Sequence, residues 1–325
     1  MFNGKKMNKK SIIKPIIILG PTGSGKTEIA AELCRLAGGE IISADSRQVY
    51  KTLDIGTNKA GDWDKELKAR VYKDIPQHLT DLINPDETFN AGGFELLADK
   101  AIQNLIEEGI MPVITGGTGL YIKALVDGLS DLPEADPEIR EELTKELDSL
   151  GKEHLYNKLL AVDPVSAEKN KDNPQRLIRA LEVFQITGKP ISELQAIKPE
   201  NKREFLQFGL AWDREELYEN LDKRSSLMLS SGMIEETKLM LENFGENAPA
   251  LKGIGYGHII KHLNKQLSYA NMEMLFKRDM RRYAKRQMTW FRRDHRISWI
   301  KLDKSTFNPP DIAEQIFNKI PKMIQ

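Results

Sequence analysis

Residues 20–27 read Gly20-Pro21-Thr22-Gly23-Ser24-Gly25-Lys26-Thr27, an octet bounded by glycines that closes on a lysine and a hydroxyl. Glycines at these places let the backbone curl until successive N–H groups face one hollow. A helix opening at the end of the octet adds its partial positive charge there, which makes an anion site. Lys26 would reach the outer oxygens of a bound phosphate, and the Thr27 hydroxyl suits a magnesium ion. Such a pattern carries meaning only when a strand precedes it and a helix follows. Ile16-Ile17-Ile18-Leu19 is an unbroken apolar run, and Glu28–Leu33 has helix formers with apolar residues at helical spacing. With both flanks in place, the octet reads as a cradle for a di- or triphosphate rather than a chance turn.

A carboxylate belongs to the same rim. Glu40-Ile41-Ile42-Ser43-Ala44 reads as a second short strand that ends in Asp45-Ser46-Arg47-Gln48. Ligands of open parallel sheets gather beyond the carboxyl ends of the strands. Asp45 there can hold magnesium, accept a proton or cap the next helix, and the sequence leaves all three open. The next buried strand, Met111-Pro112-Val113-Ile114, ends without a carboxylate in a second glycine turn, Thr115-Gly116-Gly117-Thr118-Gly119. Motors and switches place a magnesium-holding Asp on a deeper strand. Here the acid stands one strand after the loop, where an acceptor would be activated. That favours group transfer over mechanical nucleotide hydrolysis.

The elements that must position these groups follow from periodicity. Phe94–Glu108 is an amphipathic helix stopped by Gly109. Asp54–Lys59 is a turn-rich loop, and His78 is read as structural. From about Gly128 to residue 202 there is no alternating β-branched run, only helical patterns, so this stretch reads as a helical insertion. Phe205–Trp212 returns to strand character, Leu217–Gly232 to a helix carrying Arg224, and Leu251–His258 to a third glycine-rich loop. Met272–Arg293 is a long helix with Phe276, Met280, Ala284, Gln287 and Phe291 along one side. That side also includes Tyr283 beside Ala284 and Met288 beside Gln287. Its other sides carry Lys277, Arg278, Arg281, Arg282, Lys285, Arg286, Arg292 and Arg293 beside Asp279 and Asp294. Cations gathered on one helix of a protein with 48 basic and 48 acidic residues point to a phosphate backbone as partner.

The 325 residues suffice for two cores, and the single cysteine, Cys34, excludes an internal disulfide or a multi-cysteine zinc site. Cys34 is read as a buried spacer. No segment has the length of a membrane span, so a cytoplasmic protein is expected, with residues 1–14 a solvated basic tail.

In order and spacing, GPTGSGKT, ISADSRQVYKTLDIGTNK, GGTGLYIKAL, DNPQRLIRALEVF, GIGYG and AKRQMTWFRRD resemble the tRNA dimethylallyltransferase (tRNA isopentenyltransferase) family. The likeness spans Ile16 to Asp294 and fits the compact bacterial form. It implies an α/β fold with a P-loop kinase-like parallel sheet flanked by helices: residues 1–127 and 203–325 would form the core, and 128–202 an inserted all-helical domain closing over tRNA. It implies transfer of a dimethylallyl group from dimethylallyl diphosphate to N6 of adenosine 37 in tRNA, with Mg²⁺ on Thr27, by a cytoplasmic monomer. Gly20–Thr27 would bind the diphosphate, including Pro21, Thr22, Gly23, Ser24 and Gly25. Lys26, Thr27, Asp45 and Arg224 would carry the chemistry, Asp45 as base and Arg224 as a second diphosphate clamp. The segments implied to touch tRNA are Asp45, Ser46, Arg47 and Gln48; Thr118; Arg140; Gln175, Arg176, Leu177, Ile178 and Arg179; and Lys252, Gly253, Ile254, Gly255, Tyr256 and Gly257. A small-molecule or nucleotide kinase using ATP is the alternative. It shares the loop but has no use for a basic helix. A GTPase-type switch is weaker, because Asn58-Lys59-Ala60-Gly61 lacks the Asp of an N-K-x-D element.

Overall fold

The computed structural model describes residues 14–197 and 203–320. Apart from Lys14, the segment read as a basic tail lies outside the described residues. Lys14 itself pairs with Glu204 at 2.6 Å.

The chain divides into two compact units, one within Met1–Val126 and Arg203–Gln325, the other within Asp127–Lys202. The first unit opens with β1 (Ile16–Leu19), α1 (Lys26–Ala37), β2 (Gly39–Ser43), β3 (Asp62–Asp64), β4 (Ala69–Tyr72) and β5 (Ile75–His78). It continues with α2 (Ala91–Glu107), β6 (Met111–Gly116) and α3 (Gly119–Asp127), which ends at the boundary. The second unit holds α4 (Pro137–Leu150), α5 (Lys152–Leu160), α6 (Pro164–Asn170), α7 (Pro174–Thr187) and α8 (Ile191–Ala196). The first unit then resumes with β7 (Leu206–Trp212), α9 (Arg214–Met228), α10 (Ile234–Phe244), α11 (Tyr256–Leu263), α12 (Tyr269–Phe291), β8 (Ser298–Leu302) and α13 (Pro309–Phe317).

The strands form one sheet in the order β3-β4-β5-β2-β6-β1-β7-β8. From β5 to β8 all neighbours are parallel, and β1 lies between β6 and β7. Ile16–Leu19 are fully buried, as a central parallel strand covered on both faces requires. The edge departs from the parallel sheet expected: β3 and β4 pair antiparallel, as do β4 and β5. These strands are three and four residues long, and charge fills β3 and the turn after it (Asp62, Asp64, Lys65, Glu66, Lys68), so they carry almost no alternation to read. Two further departures lie in the second half. The helix expected through Gly232 breaks at Leu229–Met233, a π-helical turn in which Gly232 has φ 104°. The loop expected over Leu251–His258 is a 3₁₀ turn followed by the start of α11.

In the helical unit, Asp136, Asp163 and Asn173 cap α4, α6 and α7, each followed by proline at the first turn. Its core gathers Leu143, Leu155, Leu159, Leu177, Ile178 and Leu181. Glu182, wholly buried, accepts from Arg140 Nε at 2.7 Å, Arg179 Nη1 at 2.6 Å and the Asp136 N–H at 2.8 Å.

Candidate active site

The octet lies where β1 gives way to α1, in the middle of the parallel sheet. Gly23 and Gly25 take φ of 78° and 81°, which side-chain-bearing residues adopt only under strain. A Cβ at Gly25 would also come within 2.6 Å of Phe307. Trp212, at the end of β7, donates from Nε1 to the Ser24 carbonyl at 3.2 Å and stacks obliquely on Phe307, so the loop is braced from behind. Lys26 turns its Nζ back onto the Pro21 carbonyl at 2.7 Å.

These groups open onto a cavity of about 230 Å³, lined by residues 22–28, Asp45, Arg224, the strand ends Ser43, Gln77 and Thr115–Gly117, and Thr57 and Asn58. Arg224 reaches it from α9 with its Nε buried and without a hydrogen-bond partner; the Ser24 and Thr115 hydroxyls are in the same condition. Buried donors left open in this way cost stability unless a ligand completes them. The electrostatics point to the charge of that ligand. Burial, and then repulsion from Arg224, push the Lys26 amine down to about 7, and the Asp45 carboxylate opposes them only in part. Burial also lowers the Arg224 guanidinium from its ordinary value, although a guanidinium remains charged. Glu28 also lines the cavity but is paired with Lys73 at 3.0 Å, so Lys26 and Arg224 are opposed chiefly by Asp45, an arrangement that asks for a polyanion.

No helix follows Asp45 directly, so it caps a turn and not a helix: its Oδ1 accepts the Arg47 N–H at 2.8 Å, and the residue also lines the cavity. Its loop is tied to the second glycine turn, where Thr118 Oγ1 accepts the Ser46 N–H at 2.9 Å. Gln48 spends its amide on structure. It accepts from Ser43 at 2.9 Å and donates to the carbonyls of Thr57 and Asn58, both at 3.3 Å.

The wall formed by Thr57 and Asn58 was legible in the sequence only as a turn-rich loop, and its support was not legible at all. Glu236 on α10 accepts the N–H groups of Asp54, Ile55 and Gly56 at 2.7–2.9 Å and the Tyr256 hydroxyl at 2.9 Å. The nest of amides is thus filled by the protein's own carboxylate. Buried Lys59 and Arg70 tie the other side of the loop to Asp81 at 2.6 Å each.

Several residues singled out in the sequence serve other ends. Leu177 and Ile178 are 0% and 3% exposed in the core of the helical unit, so they are packing residues and not RNA contacts. Gln175 and Arg176, on the other face of α7, are exposed. Tyr256 is likewise buried, its hydroxyl committed to Glu236 and its ring against Gly56, and Gly255 is buried with it. Lys252 and Gly257 are exposed but do not line the cavity. On α12, Arg281 pairs with Asp222 at 2.6 Å, Arg278 with Asp279 at 2.9 Å and Lys277 with Glu273 at 2.7 Å. Lys285, Arg286, Arg292 and Arg293 are exposed. Cys34 is a buried free thiol, as expected, with its pKa raised by burial.

Fold and site together define a phosphate-loop transferase, with an anion cradle facing a carboxylate across a small cavity. The IPP transferase family model matches residues 48–294. A tRNA dimethylallyltransferase of Endomicrobium trichonymphae is 46% identical over 287 residues, 88% of this chain and 94% of that one. Among solved structures, the full-length tRNA isopentenylpyrophosphate transferase of Bacillus halodurans superposes with TM-score 0.67 at 32% identity, covering 96% of this chain and 98% of that one. A eukaryotic dimethylallyltransferase acting on tRNA gives TM-score 0.77 at 26% identity, over 96% and 80%. The chain belongs to the IPP transferase family.

If Glu236 holds the cavity wall, Glu236→Ala leaves three N–H groups and a buried hydroxyl without their acceptor. Urea unfolding is expected to show a loss of about 2–3 kcal/mol. An unchanged midpoint would mean that the 54–58 loop is held by other contacts.

Proposed function

We propose that this protein transfers a dimethylallyl group from dimethylallyl diphosphate to N6 of adenosine 37 in tRNA. The observation that carries this reading is the cavity itself, in which Lys26 and Arg224 face Asp45 across a space lined by the phosphate loop. The bond from C1 of the allyl group to the diphosphate oxygen breaks, and its electron pair leaves with the diphosphate. Backbone N–H groups of residues 23–27, Lys26 and Arg224 neutralise the charge that develops there. The N6 lone pair forms the new bond to C1, and the N6 proton passes to Asp45. The capping bond to Arg47 holds this carboxylate in orientation and leaves its other oxygen open to the amine.

A magnesium ion fits the donor set. The Thr27 hydroxyl lines the cavity, and among the described residues there is no cluster of three His, Cys, Asp or Glu that would make a cage of protein ligands. That suits a metal held by one hydroxyl and the oxygens of a diphosphate. Bound on Thr27, it would supply further neutralisation of the leaving group.

For tRNA, the exposed cations Lys285, Arg286, Arg292 and Arg293 at the end of α12 offer contacts to the phosphate backbone, and Gln175 and Arg176 further contacts from the helical unit. The reading includes a cytoplasmic monomer. Among the described residues no helix is long and apolar enough to cross a membrane.

Asp45→Asn is expected to keep tRNA and diphosphate binding while transfer slows by about 10²–10⁴. Single-turnover assays with labelled donor measure this, and a wild-type rate would exclude Asp45 as the base. Lys285→Gln with Arg286→Gln should weaken tRNA binding and flatten the slope of log affinity against log salt by roughly two. An unchanged slope in filter binding would place the RNA elsewhere.

A further inference from the structure

Helix α12 reaches the cavity through one buried amide. Gln287 is 6% exposed and lines the cavity between Thr22 and Gly117. Its Oε1 accepts the Thr22 N–H at 2.8 Å, and its Nε2 donates to the Gly117 carbonyl at 2.8 Å. Thr22 belongs to the phosphate loop and Gly117 to the turn after β6. A Cβ at Gly117 would come within 2.3 Å of Gln287 Nε2, so that glycine makes room for the bridge. One helical turn earlier on α12, Tyr283 stands within electrostatic reach of Asp45.

The contacts continue from the turn to the acid. Thr118 Oγ1 holds the Ser46 N–H, and the Ala44 N–H is bonded to the Thr115 carbonyl at 2.8 Å. A path of direct bonds therefore leads from Thr22 through Gln287 to the turn, and from the turn to the residues on either side of Asp45. Volume alone does not call for glutamine here, since a methionine fills the same space without burying an amide that must be bonded. What the amide adds is a fixed spacing between two loops that carry opposite partners of a reaction.

We propose that Gln287 is a positioning residue: by bridging the phosphate loop and the turn that carries the Asp45 loop, it sets the separation between the departing diphosphate and the attacking nitrogen. This rests on the transferase reading above. In-line displacement is sensitive to that separation, because a misplacement of about 1 Å can cost on the order of a hundredfold in rate.

Two variants of the full chain test it with dimethylallyl diphosphate, Mg²⁺ and tRNA. Gln287→Met keeps the length and the packing but removes both bonds. Its kcat is expected to fall about ten- to a hundredfold, with the KM for tRNA within about twofold of wild type. Gln287→Glu retains the bridge only while its side chain is protonated, when the carbonyl oxygen accepts from Thr22 and the O–H donates to Gly117. Ionised, it cannot donate, and its oxygen repels the Gly117 carbonyl oxygen. The ratio of its kcat to that of wild type should therefore rise as pH falls from about 8 to about 6. A space-filling role gives Gln287→Met a wild-type kcat and Gln287→Glu a ratio flat in pH, and either result overturns the proposal. If Gln287→Met fails to fold, the pH ratio alone decides. Wild-type protein that leaves tRNA unmodified would instead remove the transferase reading, and the proposal with it.

Discussion

Confined positive charge is the constraint on which this structure depends. Lys26 and Arg224 approach the same small cavity, one from the start of α1 and the other from α9, with Asp45 as the acid that opposes both. A lysine amine lowered to about 7 and an arginine whose buried Nε lacks a partner are costs that the ligand-free fold bears. On the proposed reading, the arrival of a diphosphate relieves both. On the same reading, donors already aimed into the cavity would meet the leaving group with little rearrangement.

Much of the first unit is scaffolding for that arrangement. Trp212 and Phe307 brace the phosphate loop from behind, and Glu236, Lys59 and Arg70 hold the wall that carries Thr57 and Asn58. Helix α12 has two jobs at different faces: its buried side inserts Gln287 between two loops, and its exposed side presents the cations left over after internal pairing. On the proposed reading, a helix that lines the cavity and carries these cations would meet both substrates, which would give the fold a direct means of joining their binding.

What was legible in the sequence was local. The phosphate loop, β1, α1 and the placing of Asp45 at a strand end depend on spacings within a few residues, and the structure has them as read. Arg224 came from family likeness, and the structure brings it to the cavity. The short hairpin of β3 and β4 was missed because charged residues erase its alternation. Glu236 and Gln287 were missed as functional groups because their partners lie 182 and 265 residues away, which no periodicity reports. The assignment of Leu177, Ile178 and Tyr256 to RNA came from carrying over whole motif blocks. Helical spacing separates Leu177, Ile178 and Leu181 from exposed Gln175 and Arg176, and a residue-by-residue reading of the face would have kept Leu177 and Ile178 in the core.

The state of the Lys26 amine tests the central claim most directly. With the amine near 7 in the ligand-free protein, it is mostly neutral at pH 8, whereas a bound diphosphate makes the charged form favourable again. Binding at that pH must therefore take up protons, and affinity must weaken as pH rises above about 7, by up to tenfold per unit, until the amine of the complex also titrates. Titration calorimetry of dimethylallyl diphosphate at pH 8, in buffers of different ionisation heat, should give an uptake approaching one proton per ligand, lost in Lys26→Met. No uptake by the wild type, or the same uptake in Lys26→Met, would contradict the account.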